Sequence, residues 1–541
     1  MKKIIFLLTF SLIIILFSGL VASAQCTAVM VGKEASVDGS VMTTHTCDGW
    51  YDNRVVIDPS QTFEEDAMAD VYTEICHLTR PGAELEKVGE IPQVEETYTY
   101  FNVGYPFMNE KQVIIGESTW SGRRELRNDA GMFLIETLEV FGLQRAKTAR
   151  ECIKVMGDLA EKYGYIDGGE GLTVTDPEEV WLFEIAGPGI LWEPGSGEPG
   201  AVWAAQRIPD DHVSVIANRS RIGEIDLDDP DYFMASENVK SLAQEMGWWN
   251  HEEEPFLFWK AYCPEPYGGR FYQQRREWRA LSLLAPSLNL DPYAEEHYPL
   301  SVKPDNKVSV QDLMVIKRDY LEGTQFDLTE GMAAGPFGNP NRYPTPTNVK
   351  PEGKENLDWE RAISMFRCSY SFVSQARSWL PDPVGGLLWF GEDAPHSTCY
   401  VPLYCGITEV PKSFSSGRRD VFDEDSAWWA FNFVSNWADL KFSYMIKDIK
   451  EAQDELEGSF FAMQPAVEKA AQEMYEKDPA LAVSYLTDYS NTSANKAVER
   501  WWDLAKELIA KYDDGYVNGS SVGYPTWWLE EVGFGEGYLK E

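Results

Sequence analysis

Histidine is scarce. The chain has 6 in 541 residues (His45, His77, His212, His251, His297 and His396), and none stands in an H-E-x-x-H or paired Cys/His spacing. A zinc centre therefore has no local signature, and the expected metal is none. Cysteine is sparse as well: Cys26, Cys47, Cys76, Cys152, Cys263, Cys368, Cys399 and Cys405, with no close C-x-x-C pair. That density excludes a disulfide scaffold; some thiols could pair in an oxidising compartment, but the spacing does not say which. Basic residues are outnumbered, 47 Lys and Arg against 87 Asp and Glu, for a net charge of −40. Such a surface repels nucleic-acid phosphates and anionic lipid headgroups, so neither is an expected partner. No G-x-G-x-x-G opens a helix and no P-loop is present, which removes the nucleotide-binding folds. Past the leader, no segment approaches the ~18 consecutive apolar residues that a spanning helix needs. There is no internal repeat and no low-complexity tract.

What remains is globular: 44% hydrophobic, 13% aromatic and 25% charged residues. The length suits about three domains of ~150 residues, or one large unit with insertions.

The first 24 residues read as an address. Lys2 and Lys3 precede an apolar run from Ile4 to Leu20, and Ala22-Ser23-Ala24 forms a small-residue cleavage box. Export, to the periplasm or the medium, is the expectation, with 1–24 as signal peptide. A membrane anchor fits less well, because about 17 residues is at the short end for a span. Cleavage after Ala24 leaves Gln25-Cys26 at the new terminus. Lipidation of Cys26 is one meaning of that cysteine, but it wants a small residue where the bulky Gln25 stands. Removal of Gln25, a propeptide of one residue, gives the other meaning.

An N-terminal cysteine is a compact catalyst. Its α-amine has a pKa of about 7.7–8.0 and reaches its own thiol, so it can take the proton as sulfur attacks a carbonyl. No separate histidine is required. The alternative, a small buried residue or half of a disulfide, is disfavoured by the position directly behind the cleavage box.

Hydrophobic periodicity outlines the rest. Two β-rich runs flank a turn ending in Asp38-Gly39, which predicts a hairpin from Cys26 to Thr46. A strand is expected at Val113–Ile115 and a helix from Thr148 to Tyr163 with Gly164 as its cap. Further strands are expected at Thr173-Val174, Val180–Phe183, Ile190–Trp192, Val202–Ala205, Val213–Ala217, Phe366–Val373 and Gly386–Phe390. Residues 425–512 read as helical. Strands in groups with helices between them suggest an α+β fold, an antiparallel sheet covered by helices. The chain divides into 26–223, an elaborated insertion at 224–350 rich in Pro, Asp and aromatics, and 351–541.

Several strings, in order, resemble the bacterial cysteine dipeptidases related to secernins, a family of N-terminal-nucleophile hydrolases. They are Cys26-Thr27-Ala28-Val29-Met30-Val31-Gly32-Lys33 with Asp38-Gly39-Ser40; Met108-Asn109-Glu110-Lys111-Gln112-Val113 with Gly116-Glu117-Ser118-Thr119; Asp176 to Trp181; Val215 to Ile222; and Pro383 to Gly386, Trp389-Phe390-Gly391 and Tyr400 to Tyr404. The resemblance runs from about residue 26 to 445. It implies an αββα sandwich of two antiparallel sheets between helices, here with insertions and a helical C-terminal region. It also implies hydrolysis of small peptides with Cys26 as nucleophile and no cofactor. The related bile-salt and penicillin V amidases carry Arg and Asp on the strand after the nucleophile. Alignment on the acid puts Asp48 at the Asp position, to hold the amine or thiol, and His45 where the arginine would stand. The arginine's role is then moved, to Arg54 for example, or absent. A solvated turn carboxylate is the plainer reading of Asp48.

A tetrahedral oxyanion needs fixed donors. Asn218 matches a functional asparagine of those amidases, and Ser118 and Thr119 fall in the other matching segment. Arg275-Arg276-Glu277-Trp278-Arg279 is unusual in so acidic a chain; Arg276 is the candidate for holding a substrate carboxylate through a bidentate pair. A salt-bridged helix face is the alternative for most of that cluster. The functional expectation is an exported dipeptidase acting on small peptides, with a homo-oligomer left open. An acyl-amide hydrolase of the bile-salt or penicillin type and a non-catalytic, lipid-anchored binding protein are the alternatives.

Overall fold

A computed structural model describes residues 26–264, 270–343 and 359–534. The leader and Gln25 lie outside the described residues. Along the chain, β1 (Ala28–Val31) turns back through Asp38-Gly39 into β2 (Met42–Asp48), with Met30 opposite Thr43 and Val31 opposite Met42. The Asp38 carboxylate accepts from the backbone N–H and hydroxyl of Ser40, and Gly39 adopts φ +89°, so the expected hairpin turn has its chemistry in place. The strands that follow are β3 (Val56–Asp58), an outlying hairpin of β4 (Met68–Thr73) and β5 (Glu86–Pro92), β6 (Tyr100–Asn102), β7 (Met108–Asn109), β8 (Ile114–Glu117), β9 (Glu170–Thr175), β10 (Val180–Ala186), β11 (Val202–Arg207), β12 (Val213–Ile216), β13 (Phe233–Ala235), β14 (Ser301–Val302), β15 (Cys368–Gln375), β16 (Leu387–Glu392) and β17 (Val401–Tyr404).

They form two large antiparallel sheets. One runs in the order β14-β12-β1-β2-β15-β16-β17, the other β13-β11-β10-β9-β8-β7-β6-β3. The sheets face each other: β2 packs on β8 and β9, and the Thr43 and Thr173 hydroxyls meet at 2.6 Å across the interface. Helices cover both outer faces. Ile135–Arg145 and Ala149–Tyr163 lie against the second sheet; Arg270–Leu284, Val310–Lys317, Ala427–Ala438, Phe442–Tyr475 and Pro479–Lys511 lie against the first. The molecule is thus α+β, an αββα sandwich with a helical C-terminal region. Strands between two helical layers are buried on both sides and read as continuous apolar runs; β10, Val-Trp-Leu-Phe-Glu-Ile-Ala, is buried at every residue.

The helix predicted from Thr148 runs Ala149–Tyr163, with the Thr148 side chain accepting from Glu151 N–H and Gly164 closing it at φ +87°. The expected strand at Ile190–Trp192 is instead a turn. Gly189 sits at φ +96° and Asn128 Nδ2 binds the carbonyls of Gly189 and Trp192, leaving Ile190 and Leu191 in solvent. Three apolar residues in a row there reflect a surface turn, because Pro188 and Pro194 interrupt pairing on either side. The segment 224–350 is built into the sandwich. It adds an edge strand to each sheet, β13 and β14, and carries the helices Arg270–Leu284 and Val310–Lys317 that reach the start of β1.

Candidate active site

Cys26 immediately precedes β1 and is completely buried. Its backbone is held on both sides. The Cys26 carbonyl accepts from Arg276 Nη1 at 2.9 Å and from the Ser118 hydroxyl at 3.2 Å. Thr27 N–H donates to Thr46 Oγ1 at 3.0 Å, Thr27 Oγ1 accepts from Arg276 Nη1 at 2.9 Å, and the Thr27 carbonyl accepts from Lys317 Nζ. The Cys26-Thr27 segment just ahead of β1 is therefore clamped by β2, by Ser118 at the end of β8 and by two helices of the 224–350 segment.

The thiol faces Glu117. This contact depends on Gly116: a Cβ there would come within 2.8 Å of Thr173 Oγ1 and 2.9 Å of the Thr44 carbonyl. Only glycine lets β8 press so closely on β2 and set Glu117 beside His45. His45 Nε2 lies 3.4 Å from Glu117 Oε2, and both side chains are buried. Tyr105, Tyr370 and Phe372 box the imidazole edge-on at 5.7–6.2 Å between ring centres. The Thr119 hydroxyl donates to Glu117 Oε1 at 2.6 Å. Behind Glu117 stands a second buried carboxyl, Glu170. Burial and the neighbouring Glu117 push Glu170 well above the ordinary carboxylate range, so it is the protonated member of the pair. Burial opposes ionisation of Glu117 too, but His45 and the Glu170 proton outweigh it and hold Glu117 ionised. Burial first, and the charge of Glu117 second, raise the Cys26 thiol well above its usual pKa, so it rests protonated.

Asp48 ends β2 and is bound by the Arg361 guanidinium, while its Oδ2 also accepts from Thr46 Oγ1 at 3.0 Å. Thr46 in turn holds Thr27 N–H, so Asp48 reaches the peptide group that follows Cys26 through one intervening hydroxyl. It is a buried, paired carboxylate, not a solvated turn residue. The arginine sought beside it comes from residue 361, far along the chain. Arg54 is engaged with Asp52 instead, at 2.6 Å.

Asn218 ends β12 in the left-handed region, at φ +60°. Its N–H donates to Ser118 Oγ at 2.9 Å, its Nδ2 to the Thr119 carbonyl at 2.6 Å, and its Oδ1 accepts from Arg276 Nη2 at 2.9 Å. Arg276 is fully buried. Its donors go to Cys26 O, Thr27 Oγ1, Ala217 O, Asn218 Oδ1 and Tyr272 O. A guanidinium has five N–H groups, so Arg276 has none left for a substrate carboxylate. The sequence-based role fails for that reason, and Arg276 instead ties the Cys26 carbonyl to Asn218. Burial, then the charge of Arg361, lower its pKa to about 9.

Cys26, His45, Asp48, Ser118, Thr119, Asn218 and Arg276 all belong to this one network. Sequence reasoning missed Glu117, Glu170, Lys317 and Arg361. Glu117 stood inside a quoted motif, and its signal was a lone charge two residues after the apolar run Val113-Ile114-Ile115. Lys317 ends the Val310–Lys317 helix, and burial lowers its pKa to about 7. The eight cysteines are all unpaired thiols.

A cavity of about 900 Å³ opens beside the network, with Thr119 and Glu170 on its wall next to Tyr51, Tyr105 and Tyr165. Its lining also carries Glu74, Glu125, Glu136 and Asp167 together with Arg80, Arg123, Arg124 and Arg127, charges of both signs. Among the described residues no helix is long and apolar enough to cross a membrane.

Comparison with known proteins matches this architecture to a family. The chain is 26% identical to a probable dipeptidase of Latilactobacillus sakei, over 90% of this chain and 95% of the relative. It is 23% identical to probable dipeptidase B of Lactococcus lactis subsp. lactis, again over 90% and 95%. Dipeptidase A of Lactobacillus helveticus is 22% identical over 77% of this chain and 82% of its own. The model of peptidase family C69 matches residues 25–455. That span starts one residue before Cys26 and takes in every member of the network, and the chain belongs to peptidase family C69.

Proposed function

We propose that the protein is an exported dipeptidase whose N-terminal Cys26, uncovered by loss of residues 1–25, is the nucleophile. The dipeptidase activity of family C69 supports the substrate class. The observation that carries the mechanism is the convergence of four separate chain segments, through Thr46, Ser118, Arg276 and Lys317, on the backbone of Cys26 and Thr27, beside the one thiol that a signal cleavage followed by one more cut would free. In the uncut chain the residue carries an amide, and burial with Glu117 keeps its thiol protonated. Once the α-amine is free it accepts the thiol proton as sulfur attacks the scissile carbonyl. The same ammonium then protonates the leaving amine, and water hydrolyses the thioester. Asn218, held by Arg276 and Ser118, the two side chains bonded to the Cys26 carbonyl, is the side chain assigned to the oxyanion. Thr119 and the Glu117–Glu170 pair lie between the thiol and the cavity, and His45 fixes Glu117. A dipeptide carries an ammonium and a carboxylate about one residue apart, which suits a cavity lined with both signs of charge better than an apolar acyl chain does.

N-terminal sequencing and intact mass before and after iodoacetamide test the reading. The expected protein starts at Cys26, is alkylated there, and loses hydrolysis on alkylation. Cys26→Ala is expected to fold and to fall below about a thousandth of wild-type turnover on a dipeptide panel. Near-normal turnover by that variant overturns the mechanism, and an acylated Cys26 overturns the enzyme reading in favour of a lipid-anchored protein.

A further inference from the structure

Cys26, His45 and Glu117 bring a thiol, an imidazole nitrogen and a carboxylate oxygen to within 4.8 Å of one another. All three side chains are buried, at 0–1% exposure. His45 Nε2 and Glu117 Oε2, 3.4 Å apart, each lack a hydrogen-bond partner. Their separation is long for a hydrogen bond but equals the ~3.4 Å between two tetrahedral ligands bound at about 2.0–2.1 Å. Buried polar atoms without partners are rare in proteins and mark a place where something else binds or reacts.

We infer that these three side chains form a site for a thiophilic divalent cation of the zinc class. Sulfur and imidazole ligands select zinc or cobalt over magnesium or calcium, which prefer all-oxygen shells. On binding, the Cys26 S–H bond breaks and its proton leaves to solvent. A sulfur–metal bond forms, His45 Nε2 supplies a lone pair, any proton it carries leaving to solvent with that of the thiol, and Glu117 is already ionised, so no oxidation state changes. The fourth position goes to water or, in a chain starting at Cys26, to the α-amine, which closes a five-membered ring with Sγ. Glu117 touches two residues of the cavity wall, Thr119 and Glu170, so the site lies one side chain from the cavity. With its lone pair in a metal bond, Cys26 cannot attack a carbonyl: the cation is a reversible inhibitor. The site stands on the three side chains, and only the inhibitory consequence rests on Cys26 being the nucleophile.

Cobalt(II) titration of purified, chelator-stripped protein tests this. The expected result is one equivalent of tetrahedral cobalt with a thiolate-to-cobalt charge-transfer band, displaced by zinc and abolished by excess EDTA. Cys26→Ala loses that band, and His45→Gln and Glu117→Gln each weaken zinc binding by at least about tenfold. Circular dichroism checks that the variants fold, and two independent ligand variants guard against one of them misfolding. A band that persists in Cys26→Ala, or zinc affinity unchanged in both ligand variants, overturns the site. Zinc binding that leaves wild-type hydrolysis intact refutes the inhibition alone. Hydrolysis by Cys26→Ala would sink the nucleophile while the metal site stands.

Discussion

The charged centre around Cys26 and the C-terminal pair of helices are both buried, and they are held together in opposite ways. In the helices Phe442–Tyr475 and Pro479–Lys511 the buried residues fall every three or four positions: Ile446, Ile449, Leu456 and Phe460 on one, Ala497, Trp501, Leu504 and Leu508 on the other. Most of their charges face water, as in the pairing of Arg500 with Glu507 and Glu455; Glu457, buried against Arg318, is an exception. Each contact there is worth its own buried area and little else depends on it. Around Cys26, Asp48, Glu117, Glu170, Arg276, Lys317 and Arg361 are all withdrawn from solvent and are held by one another or by the backbone of Cys26 and Thr27. No member contributes independently. Removing one strands its partner as an uncompensated buried charge, which costs far more than the pair contributes.

The contrast can be broken at five places. The largest effect is expected from Arg361→Met, which leaves Asp48 without its ion pair: about 3–5 kcal/mol of stability, read from urea unfolding, together with loss of hydrolysis. A loss under 1 kcal/mol would make the centre no more cooperative than the helices. Leu504→Ala in the helical pair is expected to cost about 2–4 kcal/mol by cavity formation, with kcat/KM of the folded enzyme unchanged. A fall in kcat/KM at constant fold would couple the two regions.

Lys317→Met comes next and acts through pH. Burial holds the folded pKa at about 7, below the ordinary lysine value of 10.5, so the unfolded chain binds the extra proton between those limits. Stability from this group therefore rises as pH climbs from about 7 towards 10.5 and is absent below 7. The variant should flatten that part of the pH profile of unfolding midpoints. Glu184, raised to about 7 by burial, works in the opposite sense. Its contribution is present at acid pH and fades between about 4.5 and 7, so Glu184→Gln should flatten the acid limb only. Arg500→Ala is the smallest, under about 0.5 kcal/mol, because its partners are exposed and screened.

The same contrast explains what could be read in advance. The Ala149–Tyr163 helix, with Thr148 before it and Gly164 after it, and the hairpin with its Asp38-Gly39 turn carry their instructions within a dozen residues. Cys26 was singled out by its place behind the expected cleavage box, and Asp48, Asn218 and Ser118 by motif position. Arg361 and Lys317 were not legible, because an arginine and a lysine that end up buried look no different in sequence from solvated ones. The role expected of Arg276 failed for a related reason: its chemistry was right for an anion, but five protein acceptors already surround it.

By itself, then, the sequence determined the periodic elements and the turn chemistry and singled out Cys26, since each depends on neighbours within a turn or a strand. Tertiary structure alone decided which charges gather at that thiol. The decisive contacts join residues 26, 45, 117, 276, 317 and 361 across two sheets and two helices, with Gly116 permitting the approach. A buried charge is tolerable only where partners from elsewhere in the chain meet it, and no local stretch of sequence records where they will come from.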